Sequence, residues 1–186
     1  VTIAQNNADP NPNIVAVTND GVFNLFTNAP PSSFADGDLP APNSVAVLGG
    51  YLLFTTGDGK VYSTDLNAVT VDGLAFSTTP GNLIRGVAVN DSYFAFGASF
   101  CVIYRDAGLQ PFPLQPVTTI QKGLLSKFAV AGWQPGWASV LIFVSDDNVV
   151  YRMNGYTPQR ISTHAVERQI EALADNGGPT ETVAPH

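Results

Sequence analysis

The sequence is poor in the residues that most often announce a function. It has one cysteine, one methionine and two histidines in 186 residues, and only 12% of its side chains are charged. A lone Cys101 cannot form a disulfide within the chain, and its place on an apolar run marks it as a buried structural thiol. Three lysines and five arginines against fifteen acids leave a net charge of −7, with no basic stripe to grip a nucleic acid or an anionic membrane. No apolar run is long enough to span a bilayer. His164 and His186 are too few and too far apart for a metal site, and no glycine-rich loop follows a strand as a phosphate cradle would.

What the chain does have is turns and apolar alternation. Glycine and proline together number thirty-one, and 45% of the residues are hydrophobic, a balance that suits an all-β protein. LIFVSDDNVVYR (141–152) reads as a β-hairpin with Phe143 opposite Tyr151 around an Asp147 tip. Asn148 stands where a left-handed backbone is needed. LFTTGDGKVY repeats the device with Phe54, Tyr62 and Gly59; FGASFCVIY repeats it with Phe96 and Tyr104, although Cys101 occupies the left-handed slot. Ala16 to Asn24 matches more loosely, with Gly21.

The runs before the hairpins also recur, Ser44–Val47 and Gly86–Val89 lying forty-two residues apart and Lys127–Val130 preceding the last. A further short run follows each hairpin at Leu74–Ser77, Phe112–Gln115 and Thr157–Ile161. Four short strands in that span are the arithmetic of a propeller blade. The expected organisation is an extended lead over 1–13 and a partial β-propeller of about three and a half consecutive four-stranded antiparallel blades over 14–161. One short amphipathic helix follows over 162–174, then a flexible tail over 175–186. The half blade at the start points to a piece of a larger protein. Val166, Ile170 and Leu173 recur at helical spacing, with Ser162 or Thr163 as the cap.

Candidate chemistry is thin. Asp146-Asp147 is the strongest carboxylate pair, yet a hairpin tip favours aspartate for its turn chemistry alone. A Ser162–His164 nucleophile pair is explained by capping. The expectation is no catalytic residue, no metal and no cofactor. Trp133 and Trp137 flank Pro135-Gly136 in a loop and are candidates for a partner contact.

The segment Asn154–Glu171 resembles the packaged-DNA stabilisation proteins of short-tailed bacteriophages. Gly155, Tyr156, Pro158, Arg160, Ile161, Ser162, His164, Ala165, Val166 and Glu167 match the family's pattern. Pro111–Pro113 with Ile120–Gly123, and Val45–Asp65, extend the likeness over roughly residues 43–171. The resemblance implies a non-enzymatic tail-accessory protein of the head-to-tail connector, closing or extending the portal channel to retain packaged DNA. It also implies a homo-oligomeric ring contacting the portal and other tail-accessory proteins, with no specific nucleic-acid binding. Its place would be the virion, reached from the host cytoplasm, or from a prophage-bearing bacterium. On this reading Tyr156, Arg160, His164, Val166, Ile170 and Leu173 form the docking element, Arg160 being available for a carboxylate. The alternative is a secreted or surface propeller that binds carbohydrate, for which only the tryptophan loop speaks.

Overall fold

The computed structural model describes residues 1–25, 29–34, 36–132 and 139–175. Among them the chain forms sixteen strands and one helix. The strands fall into four antiparallel sheets, each a meander of four consecutive strands. Blade 1 is β1 (Thr2–Gln5), β2 (Ile14–Thr18), β3 (Gly21–Leu25) and β4 (Ser32–Ser33). Blade 2 is β5 (Pro42–Leu48), β6 (Tyr51–Thr56), β7 (Lys60–Thr64) and β8 (Val71–Thr78). Blade 3 is β9 (Leu83–Val89), β10 (Ser92–Gly97), β11 (Cys101–Asp106) and β12 (Leu114–Ile120). Blade 4 is β13 (Val130–Ala131), β14 (Ile142–Val144), β15 (Val150–Asn154) and β16 (Thr157–Arg160), and α1 (His164–Asp175) follows it.

The architecture is the expected one, with one blade more complete than the sequence shows. β1 lies inside the expected lead and pairs with β2 from Thr2 opposite Val17 to Gln5 opposite Ile14. β4 is two serines, Ser32 opposite Asn24 and Ser33 opposite Phe23 of β3. Strands of four and two residues carry too few alternations to stand out. The helix begins at His164 rather than at residue 162, and residues 176–186 of the expected tail lie outside the described residues.

Two of the three principal hairpins have the expected register, with Phe54 opposite Tyr62 and Phe143 opposite Tyr151. Their tips turn through Gly59 at φ +83° and Asn148 at φ +61°. The third does not. Phe96 faces Cys101, and Tyr104 faces Tyr93 across the ladder. Cysteine carries a Cβ and lacks the local hydrogen bonding that lets asparagine tolerate a left-handed backbone, so Cys101 joins the strand instead. The loop becomes Gly97–Phe100, closed by the Gly97 amide donating to the Phe100 carbonyl at 2.8 Å. The loose first hairpin differs too, with Ala16 opposite Phe23 and Thr18 opposite Gly21.

That change moves blade 3 by one residue against the sequence repeat. The pair Val45–Phe54 recurs structurally as Gly86–Ala95, each partner forty-one residues on rather than forty-two. A slip of one residue turns every side chain to the other face of its strand. Phe54 therefore packs toward blade 1, whereas Phe96 packs toward blade 4. Gly86 takes the place of a valine because the Tyr93 ring lies over it; an added Cβ would stand 1.9 Å from the Tyr93 hydroxyl.

Three apolar clusters fill the three junctions between successive blades. Ala4, Val15 and Val17 meet Val45, Leu52, Phe54 and Tyr62 between blades 1 and 2. Leu48, Leu53 and Val61 meet Tyr93, Ala95, Val102 and Tyr104 between blades 2 and 3. Phe94, Phe96, Cys101 and Ile103 meet Leu141, Phe143 and Met153 between blades 3 and 4. The Cys101 thiol is fully enclosed there, and burial pushes its pKa well above the usual thiol range. A second device ties the innermost strands. The Val45 amide donates to Thr2 Oγ1 at 3.0 Å and the Gly86 amide to Ser44 Oγ at 2.9 Å, while Arg85 Nη1 donates to the Lys127 carbonyl at 3.1 Å. Thr2, Ser44 and Arg85 hold the same position in three successive blades.

Candidate partner-binding site at the C-terminal joint

The last blade hands the chain to α1 through Gly155–Thr163. β15 and β16 close around a two-residue tip, Gly155-Tyr156, with Asn154 opposite Thr157 and Gly155 at φ +59°. Tyr156 is thereby turned inward. Its ring packs on the cluster between blades 3 and 4, the Arg105 guanidinium stands 5.8 Å from the ring centroid, and its hydroxyl lies 3.4 Å from Ser92 Oγ. Tyr156 is a clip between blades 3 and 4.

Arg160 makes an ion pair within the chain. Its Nε donates to Glu167 Oε1 at 2.7 Å and its Nη2 to Glu167 Oε2 at 2.5 Å, a bidentate fork. The side chain stays 43% exposed beside this fork. Nη2 also stands 3.0 Å from His164 Nδ1, which accepts when the imidazole is neutral. Ser162 Oγ donates to Glu167 Oε1 at 2.6 Å and accepts from the Val150 amide at 3.0 Å. The Thr163 carbonyl takes the Glu167 amide at 3.1 Å, making Thr163 the cap residue, while the Ser162 side chain ties β15 to the helix. Glu167 in the first helical turn suits the helix dipole, and the Arg160 fork, then Ser162, hold its carboxyl below the usual range. The resemblance motif is thus a strand-to-helix joint that sets the direction in which α1 leaves the blades.

Beyond the joint, the apolar stripe stays open. Val166 and Leu173 are 42% and 63% exposed, and Ile170 is half-buried. Trp133 and Trp137 lie outside the described residues. The Asp146-Asp147 pair is occupied by structure. Asp146 Oδ1 accepts from Ser145 Oγ and the Gly123 amide, and Asp147 Oδ2 receives Lys122 Nζ and the Tyr151 hydroxyl at 2.5 and 2.9 Å. Burial raises the Asp147 carboxyl, but Lys122 and Tyr151 outweigh it and hold it below its ordinary value. Among the described residues no three His, Cys, Asp or Glu side chains converge as metal ligands, and no helix is long and apolar enough to cross a membrane.

The inner-strand ties and the true register of blade 3 escape a reading of the sequence. One signal for the register was present, the ill-suited Cys101 in the left-handed slot.

No curated protein matches the chain. A chain in the crystal structure of the mitotic checkpoint complex superposes with a TM-score of 0.60 at 16% identity, over 88% of this chain and 50% of that one. A chain in the crystal structure of BBS1N in complex with ARL6DN, soaked with lead, gives 0.58 at 12% identity, over 84% and 49%. The chain spans about half the length of these structures, and identities this low speak for the fold alone. The four-bladed arc and its joint agree with the match of residues 8–178 to the family model described as bacteriophage P22 Gp10, β-propeller, and the chain belongs to that phage-stabilisation family.

Proposed function

We propose that this protein is a structural component of the phage head-to-tail connector that closes or extends the portal channel and so retains packaged DNA. It works in a homo-oligomeric ring, with the portal and other tail-accessory proteins as neighbours. The observation that supports this reading is the helix α1. An amphipathic helix with an open Val166/Ile170/Leu173 stripe is held at a defined angle by the Arg160–Glu167–Ser162 joint, within the family motif. A rigid mount lowers the ordering cost of docking, so the apolar stripe can contribute its burial directly.

Retention by closure suits the charge. A chain with eight basic and fifteen acidic residues has little with which to neutralise phosphates. The test is binding of the full chain to purified portal and tail-accessory proteins. Val166→Asp with Leu173→Asp should abolish the complex while the β-sheet circular dichroism stays unchanged. Undiminished binding by that variant rejects α1 as the docking element. Micromolar duplex binding that weakens steeply with salt rejects closure without gripping.

A further inference from the structure

The tips of two successive blades enclose a cavity of about 470 Å³ at the rim between blades 3 and 4. The β9–β10 turn supplies Asn90, Asp91 and Ser92, β11 supplies Arg105, and the β15–β16 tip supplies Tyr156. The ladder sets Arg105 opposite Ser92, on the face of blade 3 that Phe94 and Ile103 turn toward blade 4. An exposed arginine is thereby laid against the half-buried Tyr156 ring, 5.8 Å from its centroid. The ring holds one face of the guanidinium and leaves the in-plane N–H groups clear. Among the described residues the Arg105 side chain makes no ion pair and no hydrogen bond, whereas Arg160 fills its fork with Glu167. The donors beside Arg105 are also underused. The Tyr156 and Ser92 hydroxyls stand 3.4 Å apart, beyond the ~2.7–2.8 Å of a good hydroxyl pair, and Asn90 Nδ2 reaches the Ser139 carbonyl only at 3.5 Å.

We propose that this cavity binds a carboxylate, the side chain of a glutamate or aspartate on a partner segment, with Arg105 as its anchor. The planar guanidinium fork matches two carboxylate oxygens, and the Ser92 and Tyr156 hydroxyls and the Asn90 amide add donors around it. Neighbouring charge selects among anions. Asp91 lines the cavity, and Asp91 and Asp106 share the adjoining hollow with Arg105. One cation beside two acids, in a chain of net charge −7, suits a single negative charge. A phosphate dianion or a nucleic acid meets repulsion there that one guanidinium does not offset. Size selects the source. The cavity falls within the ~300–1,000 Å³ of ligand sites, more than a lone acid group fills, so it also holds the backbone that carries the acid. The segment 133–138, which runs into Ser139 of the lining, contains no acid to take the anchor from within the chain.

The inference rests neither on the connector role nor on the α1 stripe, and it is tested by NMR titration of the full ¹⁵N-labelled chain. A capped Gly-Glu-Gly peptide should give saturable shifts at Asp91, Ser92, Arg105 and Tyr156, and capped Gly-Gln-Gly should give none. Acetate should shift the same residues more weakly; acetate binding as tightly as the peptide would overturn the partner segment in favour of a free small acid. Arg105→Gln should weaken the glutamate peptide by at least about tenfold, and Arg105→Lys should recover only part of that loss, because an ammonium lacks the fork. Arg168→Gln, an equal change of charge on α1, should leave binding unchanged. Arg105 is exposed, so these variants should keep the fold, and the remainder of the spectrum checks it. No saturable shift with the glutamate peptide, equal binding of the glutamine peptide, indifference to Arg105→Gln, or inorganic phosphate binding as tightly as the glutamate peptide would each overturn the carboxylate site.

Discussion

Blades 2 and 3 carry nearly the same sequence pattern and yet present opposite faces to their neighbours. Phe54 and Phe96 lie forty-two residues apart, preceded by similar runs, but one belongs to the junction with blade 1 and the other to the junction with blade 4. The difference starts at the tip. Gly59 and Asn148 accept the left-handed conformation that a three-residue loop requires, while Cys101 pairs opposite Phe96 and the tip moves back to Gly97–Phe100. One turn residue thereby decides which face of a whole blade is which, and the core compensates with Gly86 beneath Tyr93.

The largest expected effects test which junction each ring serves. Phe54→Ala and Phe96→Ala should each cost about 3–5 kcal/mol, measured by denaturant unfolding. Phe96 lies 5.2 Å from Phe143 between ring centroids, so a double-mutant cycle of that pair should return about 0.5–1.5 kcal/mol of coupling. Phe54 with Phe96 should be additive. Coupling between Phe54 and Phe96, or none between Phe96 and Phe143, would return blade 3 to the sequence register.

Next comes the compensating glycine. Gly86→Ala should destabilise by about 1–3 kcal/mol because Tyr93 must move, and Tyr93→Leu in the same chain should recover much of that loss. A neutral Gly86→Ala would mean that the ring does not depend on the missing side chain.

The tip itself is a smaller effect. Gly59→Val should cost about 1–2 kcal/mol more than the neighbouring Lys60→Val, since only Gly59 has a positive φ and its Cβ would meet the Gly81 carbonyl oxygen at 2.5 Å. Equal costs would remove the turn as the cause of the register.

The smallest effect lies at the joint, outside the blades. The Glu167 carboxyl is depressed from its ordinary 4.5 by Arg160 and Ser162. Its contribution is therefore complete above about that value and lost as pH falls through the lower folded pKa. Amide exchange of α1 should rise over that acid range while the blades stay protected, and Glu167→Gln should flatten the response. An unchanged profile in Glu167→Gln would assign the acid sensitivity elsewhere.

The sequence by itself determined what depends on neighbours along the chain. Alternating apolar residues and left-handed tips at Gly59 and Asn148 specify the hairpins of blades 2 and 4, and helical spacing from Val166 to Leu173 specifies α1. The run from Gly155 to Glu167 carries the family likeness through local chemistry of the same kind. Only the tertiary structure decided what depends on residues far apart in the chain. β1 and β4 are too short to declare themselves and exist because β2 and β3 offer them edges. The face of Phe96 follows from a ladder to Cys101 and from packing against Phe143. Tyr156 looks free in the sequence, but the fold brings Arg105 and Ser92 to it. Turn chemistry is written in adjacent residues, whereas register and side-chain partners are settled by which surfaces the packed blades bring together.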